Sequence, residues 1–188
     1  MRPLPPLYLL FFYWLFETYV SLSRRSPQPE RDATDQGSLR LIWNVVGACV
    51  LITVLGVRFL PQLQWQMPDW LHHLSVGIFL IGMSWRWHSI LYLGRYFTVD
   101  VSVAPRQPVI DTGPYRWIRH PSYLGSLLMF IGTGLAFAHP VALVFMLVPP
   151  TLVFLHRIRI EERLLLQKLG APYRSYVART KRLVPFVY

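Results

Sequence analysis

Apolar positions fall into five runs: Leu4 to Leu22, Leu39 to Leu60, Trp70 to about Tyr92, Pro121 to Ala138, and Val141 to about His156. A helix rises 1.5 Å per residue, so a run of close to twenty residues matches a hydrocarbon layer about 30 Å thick. Inside such a layer every backbone N–H and C=O must find its partner within the protein, which selects helices. The intervals are polar. Ser23 to Ser38, SRRSPQPERDATDQGS, mixes proline with charges of both signs and reads as a solvated loop. Gln62 to Asp69 is short, His139-Pro140 makes a tight turn, and Gly94 to Arg119 is the longest connection, a length usually reserved for function. Pro149 and Pro150 predict a kink in the fifth run. Beyond it HRIRIEERLLLQKLG continues as an amphipathic helix in water, ended by Gly170 with Pro172 following.

This pattern predicts an all-α fold, a polytopic membrane helical bundle of about five transmembrane helices with a cytosolic C-terminal region. Composition agrees: of 188 residues 53% are hydrophobic and 15% aromatic, too apolar and too contiguous for a soluble domain of this size. The first run has no small-residue cleavage site and is expected to stay as a helix. The formal charge of +10 flanks the apolar runs and forms no separate basic arm, so the lipid bilayer is the expected partner and nucleic acid is not. Basic residues follow runs one and three and fill the tail to Tyr188, suited to anionic headgroups. The positive-inside rule then puts the N-terminus outside and the C-terminus in the cytoplasm.

Several single residues carry expectations. Cys49 cannot form an internal disulfide and is expected to pack, while Gly47 and Gly56 predict close helix approach. Glu17 sits near a helix end within reach of headgroups, and Arg86, among Trp85, Trp87 and His88, is expected to snorkel to the interface; lining a polar pocket is the alternative. No Cys/His cluster has metal-ligand spacing, so no metal is expected, and Gly132-Thr-Gly134 has no strand before it to make a dinucleotide loop.

Two polar clusters flank the last two runs: DTGPYRWIRHPSYLG from Asp111 to Gly125, and RIRIEER from Arg157 to Arg163. A hairpin that crosses and returns would bring both to one side. Arg157 and Glu161 are i and i+4, so they share a helix face. Taken singly, each feature has a plain reading: His120 as a cap, residues 157–163 as a solvated charged face, Tyr115, Trp117 and Tyr123 as an interfacial belt. Their joint occurrence points to a site.

Gly113-Pro114-Tyr115-Arg116-Trp117-Ile118-Arg119-His120-Pro121-Ser122-Tyr123, the hairpin, Arg157 with Glu161, and Gly170-Ala-Pro-Tyr173-Arg-Ser-Tyr176 together resemble the isoprenylcysteine carboxyl methyltransferase family. The resemblance covers about Arg95 to Tyr188. It divides the chain into N-terminal helices, 1–94, and a methyltransferase core, 95–188. It implies an integral-membrane enzyme that binds S-adenosyl-L-methionine, releases S-adenosyl-L-homocysteine, and methylates a lipophilic acceptor such as a prenylated cysteine. Carried over by position, cofactor contacts fall on Gln107, Pro108, Val109, Ile110, Tyr115, His120, Pro121, Ser122, Tyr123 and Glu161. Arg157 would bind substrate, and Arg157 with Glu161 would be catalytic. Where the family begins this segment with His-Thr, this chain has Gln107-Pro108, and Pro108 has no N–H to donate. The roles make chemical sense. A guanidinium matches a carboxylate as a planar fork, an ionised acceptor carboxylate needs no base, and the faces of Tyr115 or Tyr123 suit a sulfonium. Similar Arg-His-Pro-x-Tyr runs occur in phospholipid N-methyltransferases and membrane sterol reductases. Methylation of a lipid amine or small thiol, an NADPH-dependent reductase, and a non-enzymatic membrane scaffold or transporter component are therefore the alternatives. The sequence is silent on oligomeric state.

Overall fold

The structure, a computed structural model, describes residues 6–24, 37–101, 103 and 107–184. Most of the expected solvated loop, the start of the first run and the last four residues of the tail lie outside the described residues. Within them the fold is all-helical: α1 (Leu7–Ser23), α2 (Ser38–Phe59), α3 (Asp69–Leu93), α4 (Pro121–Ala136), α5 (Pro140–Leu169) and α6 (Ala171–Arg179). Short 3-10 turns at Pro61–Leu63, Gly94–Tyr96 and Gly113–Arg116 join them.

The five apolar runs correspond to α1 to α5. Of these, α2 and α5 are long and apolar enough to cross a membrane, whereas α1 and α4 are apolar but shorter. Helix α3 has the length at 25 residues but carries His72, His73, Arg86 and His88. Helix α4 is short because it is the core. It packs against both α3 and α5, and buries Leu127, Met129 and Phe130 with Phe79, Met146, Phe154 and Ile158. Cys49 packs in the same cluster, as expected. The outward faces are the reverse: Phe11, Phe12, Trp14 and Leu15 of α1, Leu51 and Phe59 of α2, and Val148 and Leu152 of α5 are all exposed. Contiguous apolar surface on several helices at once suits hydrocarbon and not water.

Helix α5 runs unbroken through Pro149 and Pro150, so the prolines do not end it, and it stops at Gly170, where φ is 63°. That backbone conformation favours glycine. At the hairpin tip the fully buried His139 caps α5: its Nδ1 accepts from the Val141 N–H at 3.2 Å, and its Nε2 donates to the Leu60 carbonyl at 3.1 Å. One ring thereby fastens the α4–α5 turn to the end of α2.

The tightest contact joins α3 to α4. A Cβ on Gly125 would lie 2.7 Å from both the Arg86 Cβ and the Gly82 carbonyl, so the two helices meet backbone to backbone. Gly56 likewise abuts Val141 of α5, as expected, but Gly47 faces open space and has no such role. Gly125→Val should lower the unfolding temperature in detergent, at a cost of about 3 kcal/mol or more for forced separation. An unchanged unfolding temperature would show that the approach is looser than this.

Candidate active site

Pro121 disfavours helical geometry in the residue before it, and His120, at φ −124° and ψ 56°, stands outside the helix that Pro121 opens. Pro121 itself takes the first helical position, where no N–H is needed. The hairpin then returns α5 alongside. His120 Nδ1 lies 3.7 Å from Glu161 Oε2, and its Nε2 lies 3.4 Å from Glu162 Oε1. The two clusters that flank the hairpin in sequence therefore adjoin in space.

Tyr123 links the charged pair of α5. Its hydroxyl accepts from Arg157 Nε at 2.9 Å and donates to Glu161 Oε2 at 3.1 Å. Arg157 is buried, and it also donates to Ser38 Oγ at 2.6 Å and to the Val99 carbonyl. One guanidinium thus ties the start of α2, the loop after α3 and the first turn of α4 to α5. Glu161 remains a third exposed.

A second carboxylate does the holding. Glu162 is buried and takes Arg119 Nε at 2.7 Å and Arg182 Nε at 2.8 Å. Burial alone would raise its pKa, but the His120 and Arg119 groups at its oxygens outweigh that and pull it down to about 2. The segment after α6 lies along residues 117–120 as a strap. The Arg119 N–H donates to the Lys181 carbonyl at 2.8 Å, His120 N–H to Arg182 at 2.9 Å, and Lys181 N–H to Trp117 at 3.2 Å. Tyr176 of α6 donates to the Tyr115 carbonyl at 2.7 Å, and Tyr115 in turn to the Ser89 carbonyl at 3.2 Å. Burial, above all, holds the phenols of Tyr115 and Tyr176 well above their ordinary range, so they stay protonated as donors.

Two expectations need correcting. Arg86 does not snorkel and Glu17 does not reach headgroups; each is 6% exposed. Arg86 Nε and Nη2 fork onto Glu17 at 2.5 and 2.7 Å, and Nη1 donates to Ser122 Oγ at 2.6 Å. A buried arginine needs a partner of opposite charge, and α1 supplies the carboxylate.

These groups surround a cavity of about 1340 Å³, its mouth included. Gln107, Pro108, Val109, Ile110, Tyr115, His120, Ser122, Tyr123, Arg157 and Glu161 all line it. Pro121 does not, being buried inside the first turn of α4. Glu17, Arg86 and Tyr173 also line it, beside the apolar Leu39, Ile42, Trp43, Val46 and Phe154. Trp117 points away and is 53% exposed, with Arg116 over its ring. The supporting role of Glu162 was not readable beforehand, although Arg119 inside the first cluster was a cation in search of one. Chemically, the cavity offers a carboxylate for a cation, fixed donors for anionic oxygens, and apolar walls for a greasy chain.

Fold and site define a helical bundle of membrane type with a charged cavity beneath its hairpin. The chain belongs to the isoprenylcysteine carboxyl methyltransferase (ICMT) family, whose model matches residues 75–167. Among curated proteins it is 29% identical over 140 residues to protein-S-isoprenylcysteine O-methyltransferase B of Arabidopsis thaliana, covering 73% of this chain and 70% of that one. To methyltransferase A of the same plant it is 32% identical, over 63% of this chain and 61% of the other. A solved structure, the eukaryotic intramembrane Ras methyltransferase ICMT, superposes with a TM-score of 0.64 at 26% identity, covering 76% of this chain and 51% of that one. The chain thus spans about half the length of that solved protein.

Proposed function

We propose that this chain is an integral-membrane, S-adenosyl-L-methionine-dependent carboxyl O-methyltransferase whose acceptor is a prenylated cysteine or a similar lipophilic carboxylate. The observation that carries this reading is a single cavity walled both by the His120, Tyr123, Arg157, Glu161 cluster and by Leu39, Ile42, Val46 and Phe154. A water-soluble donor and a lipid-borne acceptor need both kinds of wall. The names of the Arabidopsis relatives point the same way.

The residues fit such a donor. Glu161 keeps enough exposure to meet an ammonium group, and the tyrosine rings offer faces to a sulfonium. Segment 107–110 lines the cavity, and Pro108 within it has no N–H to donate. When bound, S-adenosyl-L-methionine supplies a methyl group on a sulfonium, whose transfer to a carboxylate oxygen leaves S-adenosyl-L-homocysteine and an ester. The chain's own work is positioning and water exclusion. Arg157 draws the acceptor carboxylate to the edge of the apolar wall, and Tyr123 keeps Arg157 and Glu161 in register. No residue need act as a general base, because a carboxylate is already ionised near neutral pH. In this reading α1 to α5 are five spans, the N-terminus lies outside, the C-terminus is cytoplasmic, and residues 95–188 form the core of the enzyme.

Detergent-purified protein should bind S-adenosyl-L-homocysteine and not NADPH, and should transfer labelled methyl from S-adenosyl-L-methionine to a farnesylcysteine analogue. Binding of NADPH alone would replace this reading with a reductase. Label arriving only in amine or thiol lipids from a membrane extract would move the acceptor class.

A further inference from the structure

Nothing in the proposed chemistry uses Glu17 or Arg86, yet a buried charge pair in a membrane span is costly to keep. Glu17 comes from α1, outside the region that the family match covers. Its two oxygens take both Nε and Nη2 of Arg86, the bidentate arrangement that fixes a guanidinium in orientation as well as position. Gly125 lies directly against the Arg86 backbone and Cβ, so the root of the side chain is fixed too. The remaining Nη1 donates to Ser122 Oγ at 2.6 Å and to the Ser122 carbonyl at 3.2 Å.

This last contact decides what Ser122 can do. A hydroxyl has one proton and two lone pairs, and a guanidinium has no acceptor. With Arg86 donating to it, the Ser122 oxygen is an acceptor on that side, and its proton is left for a group in the cavity that Ser122 lines. We propose that Glu17 and Arg86 form a positioning relay that fixes the Ser122 hydroxyl as a donor to the carboxylate of the bound cofactor's amino-acid portion. This rests on the reading that S-adenosyl-L-methionine occupies the cavity. It makes α1 part of the binding machinery through one carboxylate.

The test is calorimetric binding of S-adenosyl-L-homocysteine to the full chain in detergent. Ser122→Ala should weaken binding about tenfold, as loss of a hydrogen bond to a charged group does. Ser122→Thr, which keeps the hydroxyl, should recover most of it. Arg86→Lys can still pair with Glu17 but cannot fork to both partners, and should also lose about tenfold. The double variant should bind no more weakly than either single one, because both changes act on one bond. Wild-type affinity in Ser122→Ala overturns the relay, and that variant leaves the Glu17–Arg86 pair intact, so folding does not confuse the result. Losses that multiply in the double variant, or a raised acceptor KM with unchanged cofactor affinity, overturn it as well. A wild-type chain that does not bind S-adenosyl-L-homocysteine removes the underlying reading, and the relay with it. Wild-type binding that is indifferent to residue 122 removes the relay alone.

Discussion

Arg157→Lys should cut kcat/KM for a farnesylcysteine analogue by about a hundredfold or more while leaving S-adenosyl-L-homocysteine affinity within about threefold. The charge is preserved, so a purely electrostatic role would survive the change. What is lost is the fork: Arg157 reaches the Tyr123 hydroxyl, Ser38 Oγ and the Val99 carbonyl at once, and a lysine ammonium on its single stem cannot hold all three in that geometry. Parallel measurement of acceptor turnover and cofactor binding separates the roles. Should cofactor affinity collapse while turnover at saturating acceptor persists, Arg157 serves the cofactor and the assignment is reversed.

The second large effect is on stability. Glu162→Ala strands Arg119, which is buried, together with Arg182 and the ring of His120. Removing one partner from a buried charged cluster costs about 3–5 kcal/mol, so the variant should unfold well below the wild type in detergent. The same carboxylate sets an acid limit. Its pKa falls from the ordinary 4.5 to about 2 in the folded chain. A group depressed on folding stabilises fully above its unfolded value and loses that contribution as pH falls through its folded one. The chain should therefore lose on the order of 3 kcal/mol between about pH 4.5 and pH 2. Glu162→Gln should flatten that limb of the pH–stability curve; an unchanged limb would assign the acid sensitivity to another group.

The meeting of His120 with Glu161 was legible because two apolar runs joined by a two-residue turn can only return to the side they left. Helix positions and the packing role of Cys49 followed from the same apolar pattern, and the stop at Gly170 from the glycine itself with Pro172 behind it. The pairing of Glu17 with Arg86 was not legible. It depends on how α1 and α3 are rotated about their own axes, and the apolar pattern of a membrane helix fixes that rotation weakly when most sides are greasy. The different work of Glu161 and Glu162 was hidden for a related reason. Neighbours on a helix differ by about 100° in direction, and only the packed structure shows which one faces the cavity and which the strap. The strap of Thr180 to Arg182 had no apolar alternation to announce it. It pairs through three backbone hydrogen bonds, which any residues could make. Gly125 and Gly82 outranked Gly47 for a reason invisible in one dimension: a small residue matters only where another backbone stands opposite.

That strap also has a consequence for biogenesis. Thr180 to Arg182 leave the ribosome after every other residue that builds the pocket, yet they hold the backbone of Arg119 and His120 in place. Until those residues emerge, the nascent chain carries an unfinished pocket, which the strap completes by docking on its waiting partners.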